Sequence, residues 1–149
     1  MAEPRRTALE TALRALSHRD LSTVDLERRL EARGFAEHER REALATLNRT
    51  GVLDDRRFAD GRAAALAGRC AGDALIRHDL ERAGVAADLV EDALRSLEPE
   101  AARARRVFDR RGRGPRTARY LTGKGFSEET VAALVAESAV ARRSHDELG

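Results

Sequence analysis

Several kinds of residue are scarce in this 149-residue chain, and each scarcity excludes something. There is one cysteine, Cys70, so no intrachain disulfide can form. There is no tryptophan, with one tyrosine and four phenylalanines. A thick sandwich or barrel core is therefore not expected, and the apolar surface must come from Leu, Val and Ala on helices. Lysine is almost missing too: Lys124 is the single one among 28 basic residues. Nucleotide bias of the coding genome explains that, so arginine identity by itself carries little weight. No apolar run approaches membrane-spanning length, and the N-terminus lacks the apolar core of a signal peptide, so a cytoplasmic protein with no membrane contact is expected.

Catalytic and metal constellations are equally sparse. His18, His38, His78 and His145 are dispersed. Cys70 with His78 offers two ligands where a structural zinc site needs four. Asp54-Asp55 is a paired acid, but an acidic helix start accounts for it through capping and the macrodipole. The sequence thus points to no enzyme, no cofactor and no metal.

What is present is a pattern that occurs three times. Leu30-Glu31-Ala32-Arg33-Gly34-Phe35, Leu80-Glu81-Arg82-Ala83-Gly84-Val85 and Leu121-Thr122-Gly123-Lys124-Gly125-Phe126 all read Leu-x-x-x-Gly-apolar. A left-handed glycine just past a helix end folds the next residue back onto the one inside the last turn, so each copy marks a helix stop. The spacing, about forty to fifty residues, suits a helical repeat array in which no unit buries its apolar face alone. The expected fold class is all-α: three tandem three-helix repeats, at residues 1–53, 54–98 and 99–149, forming an elongated, curved monomer.

Taken in order, the first helix is expected from Arg5 to His18 on Leu9, Leu13 and Leu16. Ser22 with Asp25 looks like a capping box, and Leu21 with Leu26 like its hydrophobic staple, opening a helix that stops at Gly34. A weaker pattern through Ala43, Leu44 and Leu47 follows, where Glu39 and Arg40 occupy places that hold Leu89 and Val90 in the second copy. After Gly51 and Leu53, Asp54 or Asp55 caps a fourth helix containing Phe58, Gly61, Ala65 and Leu66. Helices with Ile76 and Leu80, then Leu89 to Leu97, complete the second unit. Pro99 suits the first turn of a seventh and Pro115 the start of an eighth. Ser127 caps the ninth, with Phe126 and Val131 at staple positions. From about Arg142 apolar periodicity fails and a frayed tail is expected.

Charge is segregated. Residues 101–125 hold nine basic side chains, Arg103, Arg105, Arg106, Arg110, Arg111, Arg113, Arg116, Arg119 and Lys124, against the single acid Asp109. The net charge of +2 for the whole chain then leaves −6 elsewhere. Ordinary surfaces intersperse both signs, so this segment is the candidate surface for DNA phosphates or an acidic protein face. Within it Arg110-Arg111-Gly112-Arg113-Gly114-Pro115-Arg116 resembles an AT-hook core. Gly114 separates Arg113 from Pro115, however, and a loop between helices is the plainer reading.

The stretch Gly51-Val52-Leu53-Asp54-Asp55-Arg56-Arg57-Phe58-Ala59, supported by Ser22 to Leu30, Gly72 to Gly84 and Tyr120 to Phe126, resembles the RecX family of bacterial regulators of the RecA recombinase. The resemblance runs from about Leu9 to Ala139. It departs from the family pattern at Gly61, at Glu39 and Arg40, and at Ala71-Gly72. It implies a crescent of three-helix repeats lodged in the groove of the RecA filament on DNA, limiting its ATP hydrolysis, strand exchange and coprotease action on LexA-type repressors. It assigns the signature Gly51, Leu53, Asp54, Asp55, Arg57 and Phe58, and the stops Gly34, Gly84 and Gly125, to structure. The competing function is a stand-alone DNA-binding protein using its units like helix-turn-helix modules. Against it, no helix carries the Arg, Asn or Gln cluster that reads base edges.

Overall fold

The computed structural model describes residues 4–148. Among them the chain forms nine helices and no strand: α1 (Ala8–His18), α2 (Thr23–Ala32), α3 (Glu37–Arg49), α4 (Asp55–Gly68), α5 (Asp73–Arg82), α6 (Ala87–Ser96), α7 (Glu100–Arg111), α8 (Pro115–Gly123) and α9 (Glu128–Glu147). The apolar residues bury in three separate clusters. One holds Leu26, Leu30 and Leu47 with the rest of α1 to α3. A second holds Phe58, Ile76, Leu80 and Val90 of α4 to α6. The third holds Phe108, Leu121 and Val131 of α7 to α9. With few aromatics, each core closes only because three helices surround it.

Several local expectations are corrected. The first helix begins at Ala8 rather than Arg5, because Thr7 is its N-cap and forms a full capping box with Glu10. The Ser22–Asp25 box is half formed. Ser22 Oγ accepts from the Asp25 amide at 3.1 Å, while its own hydrogen is donated to the carbonyl of Ala83 at 2.6 Å. Pro99 stands at the N-cap of α7, one place ahead of the first turn. The fourth helix, in contrast, contains Gly61 as expected. The chain beyond Arg142, expected to fray, is helical to Glu147; Arg142 Nη2 donates to the Arg113 carbonyl at 2.9 Å, tying the tail across the turn before α8.

The three Leu-x-x-x-Gly stops share one geometry. Phe35, Val85 and Phe126 donate their amides to the carbonyls of Leu30, Leu80 and Leu121 at 3.2, 3.1 and 3.1 Å, and the glycine before each has φ of +86°, +76° and +90°. This is the Schellman closure of a helix end. Their consequence is larger than three terminations, because the middle helices meet end to end through them. The last carbonyl of the α5 end, Ala83, receives the Ser22 hydroxyl that opens α2. That of the α8 end, Lys124, receives the Gly72 amide that opens α5 at 2.8 Å, and Gly125 accepts from Ala74 at 3.2 Å. The α2 end is closed differently. There the side chain of Arg5 takes the role, donating to the Arg33 carbonyl at 2.9 Å with its guanidinium 5.0 Å above the Phe35 ring.

The tightness of these joints differs. A Cβ at Gly84 would lie 2.5 Å from the Val24 side chain, whereas one at Gly34 would meet only the tip of Arg5 at 3.4 Å. Gly84→Ala is therefore expected to cost about 2 kcal/mol, combining left-handed strain with overpacking. Gly34→Ala should cost about 1 kcal/mol, the conformational strain alone. Thermal or urea unfolding of both variants checks the order; equal losses would contradict it.

Candidate binding surface

The signature stretch is a corner between repeats, and its polar groups are consumed in building it. Gly51 turns the chain at φ +77°, and Leu53 is buried with its amide on the Leu47 carbonyl at 3.0 Å. Asp54 caps α4 by accepting from the Arg57 amide at 3.1 Å. Asp55 reaches instead to the start of α2, where one carboxylate oxygen accepts from the Thr23 amide at 2.8 Å and the Thr23 hydroxyl at 2.9 Å. Arg57 donates back to the carbonyls of Gly51 and Val52 at 3.0 and 2.9 Å, and Phe58 is buried in the second core. The paired acids open two different helices, so they do not converge on any common point.

The nine cations of the basic segment separate into three kinds. Arg103 is withdrawn from the surface, with only 9% of its area exposed. Its guanidinium donates to one Asp73 carboxylate oxygen at 2.9 and 2.8 Å and to the carbonyls of Glu98 and Ala71 at 3.2 and 3.3 Å. It also lies 5.8 Å over the Phe126 ring. It holds the second repeat to the third and is not available to a partner. Arg105, Arg106 and Arg113 are exposed but paired, with Glu137 at 2.9 Å, Glu98 at 2.6 Å and Asp109 at 2.6 Å. The remainder are exposed or half-exposed and have no carboxylate partner among the described residues: Arg110 at the end of α7, Arg116 and Arg119 one turn apart on α8, and Lys124 at its close. Arg111 joins them, stacked 3.6 Å over the Tyr120 ring.

The turn between α7 and α8 is compact. Arg113 folds back onto Asp109 four residues earlier, Gly112 ends α7 at φ +107° and Gly114 opens α8. An extended minor-groove hook is not formed here. Sequence reasoning could not separate paired from unpaired arginines, because Asp73, Glu137 and Glu98, which hold Arg103, Arg105 and Arg106, lie outside the 101–125 segment.

The second repeat is electrostatically different. Arg62 holds Asp79 at 2.8 and 3.0 Å, Arg77 holds Glu91 at 2.9 and 3.3 Å, and Asp92 lies between Arg56, at 3.0 Å, and Arg95. Hydrogen bonds from Arg62 hold the Asp79 carboxyl below its ordinary range. Arg77 does the same for Glu91, and Arg56 with Arg95 for Asp92. Carboxyls lowered in the fold stabilise it above their unfolded value, near pH 4, and that contribution is lost as pH falls through the lower folded value. Acid unfolding of Asp79→Asn should therefore be less steep below about pH 4 than that of the parent. Its cost at pH 7 should be under about 1 kcal/mol, since the pair is partly in water. Parallel acid profiles would remove Asp79 from this role.

Among the described residues no three potential metal ligands gather, and Cys70 and His78 recruit no others. No described helix is long and apolar enough to cross a membrane.

Fold and surface together define an all-helical protein with three separate cores, whose signature polar groups build joints and whose unpaired cations in residues 101–125 are at least partly exposed. No family model matches the chain. It is, however, 33% identical over 141 residues to the regulatory protein RecX of Chromohalobacter salexigens, covering 88% of this chain and 92% of that protein. To regulatory protein RecX of Thermus thermophilus it is 37% identical over 120 residues, covering 80% and 83%. The crystal structure of RecX from Lactobacillus salivarius superposes with a TM-score of 0.74 over 89% of this chain and 95% of that one, at 18% identity. The chain belongs to the RecX family of regulatory proteins.

Proposed function

We propose that this protein regulates RecA by binding its filament on DNA, and that it lowers the filament's ATP hydrolysis, strand exchange and coprotease action on LexA-type repressors. Family membership supports the RecA partner. The observation that carries the mode of contact is the unpaired set Arg110, Arg116, Arg119 and Lys124 with the stacked Arg111, since a filament is polyanionic whether it is met at phosphate or at an acidic protein face. The protein itself would supply no chemistry. It would act in the cytoplasm, where RecA assembles, by occupying a groove that strand exchange requires.

Co-sedimentation with RecA filaments formed on single-stranded DNA with a non-hydrolysable nucleotide, beside naked DNA at about 150 mM salt, tests the reading. Retention on filaments and weak retention on DNA is expected. Equal retention on both would favour a stand-alone DNA-binding protein.

A further inference from the structure

The first repeat carries a basic cleft that lies outside the segment discussed above. Between α1 and α2 a cavity of about 550 Å³ is lined by Arg6, Arg14, Arg29 and Arg33, with His18 beside them and Ala15, Leu26 and Leu30 at its floor. No acid lines it, and among the described residues none of these four guanidinium groups has a carboxylate or other hydrogen-bond partner. Four like charges around one concavity repel, and Arg29 and Arg33 are only partly relieved by standing at the C-terminal end of α2.

The second repeat carries a different charge at the corresponding place. Counting back from the Schellman glycines, Arg29 of α2 stands where Asp79 stands on α5. There the side chain is an acid paired with Arg62, and the adjoining cavity is bordered by Asp20 and Asp25 of the first repeat as well as by arginines. No acid borders the cleft of the first repeat, which is left with one sign of charge.

We propose that this cleft is a binding site for a nucleoside di- or triphosphate. Guanidinium forks meet phosphate oxygens in paired hydrogen bonds, four of them match the charge of a triphosphate, and the volume lies within the range of small-ligand pockets. The accessible Ala15 and Ala32 of its wall, backed by the buried Leu26 and Leu30, take the base or sugar, while the arginines take the phosphates. A cleft bounded by two short helices suits a compact ligand better than a continuous strand.

The test uses the full chain alone, without RecA, so that its outcome is independent of the filament reading. Anisotropy of a fluorescent N-methylanthraniloyl ATP is followed at about 150 mM salt, with ATP, adenosine, inorganic phosphate, a thymidine oligonucleotide and polyglutamate as competitors. Saturable binding is expected, displaced by ATP but not by adenosine. Arg14→Glu combined with Arg29→Glu should weaken it by about tenfold per arginine. Arg116→Glu with Arg119→Glu should leave it unchanged. Arg14→Gln with Arg29→Gln repeats the comparison without charge reversal, and circular dichroism verifies that each variant is folded. Absence of saturable binding overturns the proposal, as does equal weakening by the α1–α2 and α8 variants. Displacement by the oligonucleotide or by polyglutamate at lower concentration than ATP overturns it in favour of a strand or an acidic protein segment.

Discussion

Gly72→Val is expected to lose on the order of 5 kcal/mol or to fail to fold, the largest single-residue effect in the chain. The backbone at Gly72 is ordinary, with φ of −83°, so conformational strain is not the cause. Space is. A Cβ there would lie 2.5 Å from the Gly125 carbonyl oxygen and closer still to the Phe126 amide nitrogen, both main-chain atoms of the third repeat that no side-chain rotation can move. The same displacement would break the Gly72 amide's bond to Lys124 and loosen Glu100, whose carboxylate accepts from the amides of Asp73 and Ser127 across the joint at 3.3 and 3.1 Å. Gly61→Ala is the control. Nothing lies within 4 Å of its added carbon, and in a helix interior the change should stabilise by about 0.5 to 1 kcal/mol. Denaturant unfolding of the two variants separates the roles; a folded Gly72→Val chain of parental stability would show that the second and third repeats are not locked through this contact.

Charge reversal at Arg110, Arg116 and Arg119 together is expected to raise the concentration needed to inhibit a RecA filament by about 100-fold. These three are chosen over Arg113 because Arg113 already faces Asp109, so reversing it would disturb a turn as well as a surface. The chosen side chains are exposed and lack acidic partners among the described residues, so helicity should be retained. An acid at position 116 even suits the positive end of α8. Salt dependence identifies what they touch. If they contact phosphates, the slope of log affinity against log salt should fall by nearly one unit for each cation removed. If they contact an acidic protein face, the change in slope should be shallower. Equal inhibition by parent and variant at every salt concentration would make the segment a solvated face.

The parts of the fold that were legible in sequence are those set by local chemistry. Each Leu-x-x-x-Gly-apolar copy specifies a helix end through one glycine and one apolar neighbour, and Pro115 and Ser127 begin helices within a residue of their expected places. Thr7 and Glu10 carried an equally clear capping box that the apolar pattern of Leu9, Leu13 and Leu16 overshadowed. The helical tail could not be foreseen because its anchor, Arg142 on the Arg113 carbonyl, spans 29 residues.

The surface was less legible for the same reason. Its nine cations form one block in sequence, yet Asp73, 30 residues away, takes Arg103 into the core, and Glu137, 32 residues away, neutralises Arg105. The cleft in the first repeat was invisible from composition, since Glu10, Asp20, Asp25, Glu27 and Glu31 are interspersed with its arginines along the chain and only folding sorts them apart.

The central claim, that this RecX-family chain restrains RecA, is tested most directly by RecA's ATPase on single-stranded DNA, with the protein added after filaments have assembled. The expected result is a fall in steady-state hydrolysis at substoichiometric or near-stoichiometric protein, reduced in the Arg110, Arg116 and Arg119 charge-reversal variant and preserved in Gly61→Ala. Unchanged hydrolysis at saturating protein, with the parent shown to be folded, would contradict it.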